Sequence, residues 1–174
     1  AVRNVPESYE VYHEQQTLDL FAGLGVLAAN EVEARFEILN ETYVKKLQIE
    51  ARIIGDMCLN HVIPAAVKYQ NILIENVKGI KDIFGNDYLN YCSSEIETLK
   101  KISTYINNVS ADVEGLVEAR KKANRIEAIA ERAKVYSHEV KDMMEKVRMS
   151  ADNLEMLIDD EMWPLPKYRE LLFF

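Results

Sequence analysis

The chain has 174 residues, 48% of them hydrophobic and 29% charged, with a formal net charge of −8. That length and texture fit one globular domain with a core of its own, and the acidic balance disfavours nucleic-acid backbones and anionic membranes, which call for basic surfaces. The longest uninterrupted apolar stretches, such as Gly23 to Ala29, run to about six or seven residues, too few to cross a bilayer.

No signal peptide is recognisable, and the first residue is Ala rather than Met. The expectation is a cytoplasmic protein that is a processed product or a piece of something larger. Cys58 and Cys92 lie far apart without the local spacing of a metal site, so both are expected to be reduced, buried thiols.

Residues 1–29 differ in texture from the rest. Val5-Pro6-Glu7-Ser8 reads as a turn or helix start, and Glu14 to Phe21 as a short helix ended by Gly23 and Gly25. Asn30 with Glu33 three positions on has the arrangement of a capping box, which starts a long helix. That helix is expected over Glu31 to Val77, roughly 70 Å at 1.5 Å per residue, so it should run the length of an elongated bundle.

Val32, Phe36, Leu39, Tyr43, Leu47 and Ile54 recur at helical steps and predict its buried face. From Ile49 to Val67 the segment is apolar nearly all round, which predicts burial on every side. Pro64 costs about 3 kcal/mol inside a helix, yet the pattern resumes at Tyr69, Ile72 and Leu73, so it predicts a kink rather than a stop. Gly55 suggests a close neighbouring backbone.

Lys78 to Asp87 holds two glycines and an Asn-Asp pair and predicts a turn, with Asn86 or Asp87 capping the next helix. That helix is expected over Tyr88 to Lys122, with Leu89, Cys92, Ile96, Leu99, Ile106, Val109, Val113 and Leu116 as its seam and Gly115 at a close crossing. Arg120, Lys121 and Lys122 sit in its last turn, where cations meet the negative end of the helix dipole and Asn124 can take a left-handed cap. An anion or metabolite site over Arg120 to Arg125 is the competing reading.

The last helix, Ile126 to Met162, carries Ile126, Ile129, Ala133, Tyr136, Val140, Met143, Val147, Ser150, Leu154 and Leu157 on one face. The fold class is therefore all-α: an elongated up-down-up bundle of three long helices with a short N-terminal accessory helix and an extended C-terminal tail. In the tail Pro164 and Pro166 end the helix. Trp163, Leu165, Tyr168, Leu171, Leu172, Phe173 and Phe174 should dock on the domain, on a missing neighbour or on another subunit.

Chemistry is sparse. A di-iron carboxylate bundle needs Glu-x-x-His on two helices, and only Glu10 to His13 matches, outside the bundle. His61 is expected to be a hydrogen-bonded core histidine and His138 to be exposed. There is no glycine-rich phosphate loop, nucleophile elbow or thiol–histidine pair.

The blocks EVEARFEIL (31–39), IEARIIGDMCLNHVIPAAVKYQN (49–71), EARKKAN (118–124) and above all DDEMWPLPKYRELLF (159–173) resemble the C-terminal region of type III glutamine synthetase, the large bacterial form. VPESYEVY (5–12) and TLDLFAGLGVL (17–27) are similar to the closing segment of the catalytic domain shared by glutamine synthetases. Ala28 departs from the Ser or Thr helix cap of that pattern.

The resemblance implies a parent enzyme that phosphorylates the side-chain carboxylate of glutamate with ATP and lets ammonia displace the phosphate. It would use divalent metal, Mg or Mn, at a subunit interface of a ring-shaped oligomer. None of the family's metal, nucleotide or ammonia contacts matches a position of this chain, so no catalytic, cofactor-binding or metal residue is assigned. The resemblance divides the chain into the end of the catalytic domain (1–29), a helical bundle (30–162) and a docking tail (163–174). Its expected partners are its own catalytic domain and the other subunits of a homo-oligomer, with no nucleic acid and no membrane. A free-standing helical adaptor and a metabolite-sensing module are the alternatives.

Overall fold

The computed structural model describes residues 4–172, and every regular element among them is helical. Helix α1 (Val5–Tyr9) starts where the Asn4 side chain accepts the Glu7 N–H at 3.0 Å, with Pro6 in the first turn, where a missing donor costs nothing. A 3-10 turn over Glu10–His13 leads to α2 (Gln15–Gly23), and the chain leaves it through Gly25 at φ 64°.

Helix α3 (Ala29–Met57) is capped two residues upstream of the expected Asn30–Glu33 pair. The Ala28 carbonyl accepts the first helical bonds, and the Ala28 N–H donates to Glu31 Oε2 at 2.7 Å. This is half a capping box, because Ala28 has no side-chain oxygen to accept the Glu31 N–H. Glu33 instead lies 3.4 Å from His13 Nε2.

A π turn over Cys58–Val62 carries α3 into α4 (Ile63–Phe84), so the chain passes Pro64 without a stop. The Ile63 N–H reaches back five residues to the Cys58 carbonyl. Widening the turn just ahead of the proline removes the clash its ring would make with the carbonyl four residues back. The helix also outlasts its expected end: Lys78 to Phe84 are helical, and the reversal comes at Gly85, with φ 58°. Only Gly25 and Gly85 among the described glycines take positive φ, so Gly79 is a weak helix residue and not a turn.

After a 3-10 turn over Gly85–Tyr88, α5 (Leu89–Asn124) is broken at Cys92, where φ is −136° and ψ 24°. The Cys92 thiol donates to the Tyr88 carbonyl at 3.2 Å, engaging that acceptor beside the break. Asn124 does not adopt the expected left-handed cap, since no described non-glycine residue has positive φ. The last helical run starts three residues late, as α6 (Ile129–Val135), continues through a π turn over Tyr136–Val140, and ends early, as α7 (Lys141–Glu155). Asp159 accepts the Glu161 N–H at 2.8 Å in the turn that follows, so the helix has stopped well before Pro164. A single turn, α8 (Tyr168–Leu171), closes the described chain.

The chain packs as two units, residues up to 53 with 115–145, and residues 54–114 with 146 onward. In the first, Gly115 faces Met143, Lys122 pairs with Glu139 and Asn124 with Tyr136, so the chain segments run antiparallel. Its core is Val32, Phe36, Val44, Leu47, Ala51, Leu116, Ala123, Ala133, Tyr136 and Val140, with the buried Asn40 side chain donating to the Phe36 carbonyl at 3.0 Å. In the second, Gly55 faces Val113, Gln70 donates to Ser103, and Ser150 donates to Asp112 at 2.6 Å, again antiparallel. Its core is Cys58, Val62, Ala66, Cys92, Ile102, Val109, Val113, Val147, Leu154 and Trp163.

Several burial expectations need correction. The buried face of α3 runs through Asn40 and Val44, while Leu39 and Tyr43 are half-buried. The segment from Ile49 to Val67 is not covered all round: Ile49, Ile53, Leu59 and Val67 are exposed, Ile49 at 58%. His61 is exposed rather than a core histidine. The seam of α5 passes through Ile102, which is fully buried and completes the three-four alternation from Leu99 to Leu116, whereas Leu89 is exposed. Gly55 meets only Val113 Cγ1, at an ordinary 3.6 Å from where a Cβ would sit, so no neighbouring backbone demands it. Gly115 does mark a close approach: a Cβ there would lie 2.6 Å from Met143 Cε.

Candidate functional site

The residues that sequence reasoning weighed for chemistry are scattered. Glu10 pairs with Lys134 at 2.7 Å, while His13 stands beside Glu33 with its ring edge-on to Phe36, so the two ends of the Glu-x-x-His motif serve different packing contacts. His138 is exposed, 3.1 Å from Asn4 Nδ2. Among the described residues no three His, Cys, Asp or Glu side chains converge as a metal site would require.

Two cations of the basic run are tied into ion pairs. Lys121 bonds Glu118 at 2.8 Å and Lys122 bonds Glu139 at 2.7 Å. Arg132, one helix on, donates through Nε to the Ile126 carbonyl at 2.7 Å, pinning the loop between α5 and α6. Beneath it the fully buried Tyr136 donates its hydroxyl to Asn124 Oδ1 at 2.8 Å, and Gln48 donates to the same oxygen at 3.4 Å. Burial pushes the Tyr136 phenol pKa upward, against the opposing influence of Arg120, Arg132 and Arg52. Asn124 thus acts as an acceptor joining α3, α5 and the turn after α6, a role its sequence position gave no sign of.

Both cysteines are buried free thiols, as expected, and burial raises the pKa of Cys58 to about 11. Cys58 forms part of the floor of a pocket inside the second unit, about 180 Å³ in volume. Ile54, Met57, Val62, Ala151, Trp163 and Leu165 supply most of its wall, with Arg148, Asp152 and Glu155 also lining it. Trp163 is only 8% exposed, so the tail does dock at this point, but its indole Nε1 is buried with no hydrogen-bond partner. Further along, Leu171 and Leu172 are exposed, while Phe173, Phe174 and the Tyr168 side chain lie outside what is described. The Lys167 ammonium holds the tail by donating to the Glu155 carbonyl at 3.2 Å and pairing with Asp160.

Apolar side chains also remain uncovered. On α3, Ile38, Ile49 and Ile53 are exposed at spacings of three turns and one turn, so they share one side of the helix. In the second unit Val67 and Ile74 repeat the pattern on α4, and the Phe84 and Tyr91 rings stack at 4.1 Å while both stay exposed. No helix among the described residues is long and apolar enough to cross a membrane.

These features define an all-α domain whose ion pairs lie mostly within single helices, with a few polar contacts joining one helix to another. Residues 1–81 match the family model described as glutamine synthetase C-terminal domain. The chain is 41% identical over 171 residues to a glutamine synthetase of Bacteroides fragilis, covering 98% of this chain and 24% of that protein. It is 28% identical over 186 residues to a type-3 glutamine synthetase of Dictyostelium discoideum, covering 98% and 23%. It is 27% identical over 172 residues to a glutamine synthetase of Butyrivibrio fibrisolvens, covering 99% and 24%. Along nearly its whole length the chain is similar to glutamine synthetases, and its first 81 residues to their C-terminal domain. It spans about a quarter of the length of the curated relatives it matches.

Proposed function

We propose that the chain is the C-terminal helical domain of a bacterial, cytoplasmic type III glutamine synthetase, and that it serves subunit packing and oligomer assembly without contributing catalytic residues. The parent enzyme would ligate ammonia to glutamate with ATP and a divalent metal, Mg or Mn, bound by residues outside this chain. Residues 1–29 would be the end of its catalytic domain, joined to the bundle through the Gly25 turn. The similarity along nearly the whole chain to the Bacteroides protein, and the likeness to a type-3 enzyme of Dictyostelium, support the assignment.

The observation that carries the assembly role is the exposed stripe of Ile38, Ile49 and Ile53 on α3. Apolar side chains aligned on one side of a helix are a surface that association removes from water. The partners would be the enzyme's own catalytic domain and neighbouring subunits. Light scattering tests this with the chain alone and with the separately expressed catalytic portion. Complex formation or self-association that Ile49→Glu with Ile53→Glu abolishes is the expected result, and a chain that stays monomeric and inert in both mixtures overturns the reading. Glutamine formation from glutamate, ammonia and ATP by the purified chain alone would overturn the claim that it is not catalytic.

A further inference from the structure

The first unit carries an open pocket beside α3. Its volume is about 450 Å³, within the range of about 300–1,000 Å³ typical of small-molecule sites. Leu27, Ala34, Ile38 and Leu39 give it apolar walls, and Tyr12, in the 3-10 turn ahead of α2, closes one side. Glu31 and Arg35 are its two charged residues. The α3 members follow one another at steps of three and four, so they share one side of the helix, next to the side that buries Val32, Phe36 and Asn40.

The two charges are unequally engaged. Glu31 and Arg35 are four residues apart on the helix, the spacing of an ion pair, yet Glu31 Oε2 accepts the Ala28 N–H at 2.7 Å instead. The N-terminal end of α3 favours an anion there, which offsets the Glu31 charge further. Arg35 is left exposed, without an ion pair or hydrogen bond to any other described residue. Its guanidinium stands on a flexible stem at the pocket wall and is free to swing onto an occupant, and its planar fork of donors matches a carboxylate.

One free cation beside one engaged anion suits an occupant with a single negative charge. A doubly charged phosphate would meet Glu31 with only Arg35 to balance it. The apolar walls require an apolar body on that anion, because a bare ion would gain nothing from them.

We propose that this pocket binds a small monocarboxylate with an apolar body, its carboxylate held by Arg35 and its body laid against Leu27, Ile38 and Leu39. This goes beyond the assembly role and does not depend on it, although Ile38 belongs to both surfaces.

3-Phenylpropanoate and 3-phenylpropanamide are matched probes, with the same body and only the first charged, and acetate supplies the charge without the body. Titration followed by NMR of the leucine and isoleucine methyl groups reads the site. The expected result is a saturable shift of the Leu27, Ile38 and Leu39 signals with the acid, at least tenfold weaker binding of the amide, and no response of those methyl groups to acetate. Arg35→Gln, at an exposed position, should weaken the acid by about tenfold or more and leave the amide unchanged, the factor that one charge-assisted hydrogen bond carries. The same titration in the chain carrying Ile49→Glu and Ile53→Glu prevents association through the exposed stripe from covering the pocket, so failure of this proposal and failure of the assembly reading are told apart.

Unmoved methyl signals in both chains overturn the proposal. So does equal affinity for acid and amide, an acid affinity that Arg35→Gln leaves unchanged, or acetate binding as tightly as the phenyl acid.

Discussion

Two of the helix-interior glycines, Gly55 and Gly115, should respond differently to Ala. Replacing Gly by Ala in a helix stabilises by about 0.5–1 kcal/mol, because Gly loses more backbone freedom on folding. At Gly55 the new methyl would meet Val113 Cγ1 at 3.6 Å, ordinary van der Waals contact, so the full gain should appear. At Gly115 it would meet Met143 Cε at 2.6 Å, and overpacking a fixed neighbour costs about 1–3 kcal/mol. Met143 is half-buried and the clash is with the end of a flexible side chain, so the cost should fall at the low end and cancel the gain. We expect Gly55→Ala to stabilise by ~0.5–1 kcal/mol and Gly115→Ala to be close to neutral. In a Met143→Ala background Gly115→Ala should regain the helix benefit, giving a coupling of about 1 kcal/mol. Urea unfolding followed by circular dichroism at constant slope measures all four members of the cycle. A coupling below about 0.3 kcal/mol, within the range of independent sites, would refute the close approach of Met143 to Gly115.

Other positions make independent claims. Ile102→Ala should cost about 2–5 kcal/mol, lowering the melting temperature by several degrees, whereas Leu89→Ala should stay within about 0.5 kcal/mol, because only the first is buried. Asn124→Ala removes the acceptor of the buried Tyr136 hydroxyl and should cost about 1–3 kcal/mol, with Tyr136→Phe in that background recovering part of it; equal stability of single and double variants would count against the bond. The Cys58 thiol, with its pKa raised to about 11, favours its protonated form in the folded chain. Its contribution to stability is therefore fully present below the unfolded thiol value and is lost as pH rises toward 11, and alkylation of Cys58 at pH 8 should be much slower in the native chain than in urea. Deleting residues 163–174 should lower the melting temperature through loss of the Trp163 contacts, checked by calorimetry.

Much of the architecture was legible because helical periodicity is a local property. The steps of three and four through Val109, Val113 and Leu116, and through Ala133, Tyr136 and Val140, select those faces before any neighbour is known. The free, buried thiols were likewise readable from residue type and spacing. The family resemblance rested on extended blocks of sequence, which persist when individual contacts do not.

What escaped the sequence depends on partners across space. The cap moved from Asn30–Glu33 to Ala28–Glu31 because a carboxylate can reach a backbone N–H from either register, and His13 was there to engage Glu33. The passage through Pro64 was expected, but its means, a π turn, depends on where the backbone can widen. The expected seam passed directly from Leu99 to Ile106 and left out Ile102, which only the packed seam reveals. Ile49, Ile53 and His61 are as apolar or as central in sequence as their buried neighbours, yet tertiary packing covers one side of the helix and leaves theirs in water. Composition determines how much apolar surface a chain carries. Which part of it meets another helix, and which is left for something else to cover, is decided only when the helices come together.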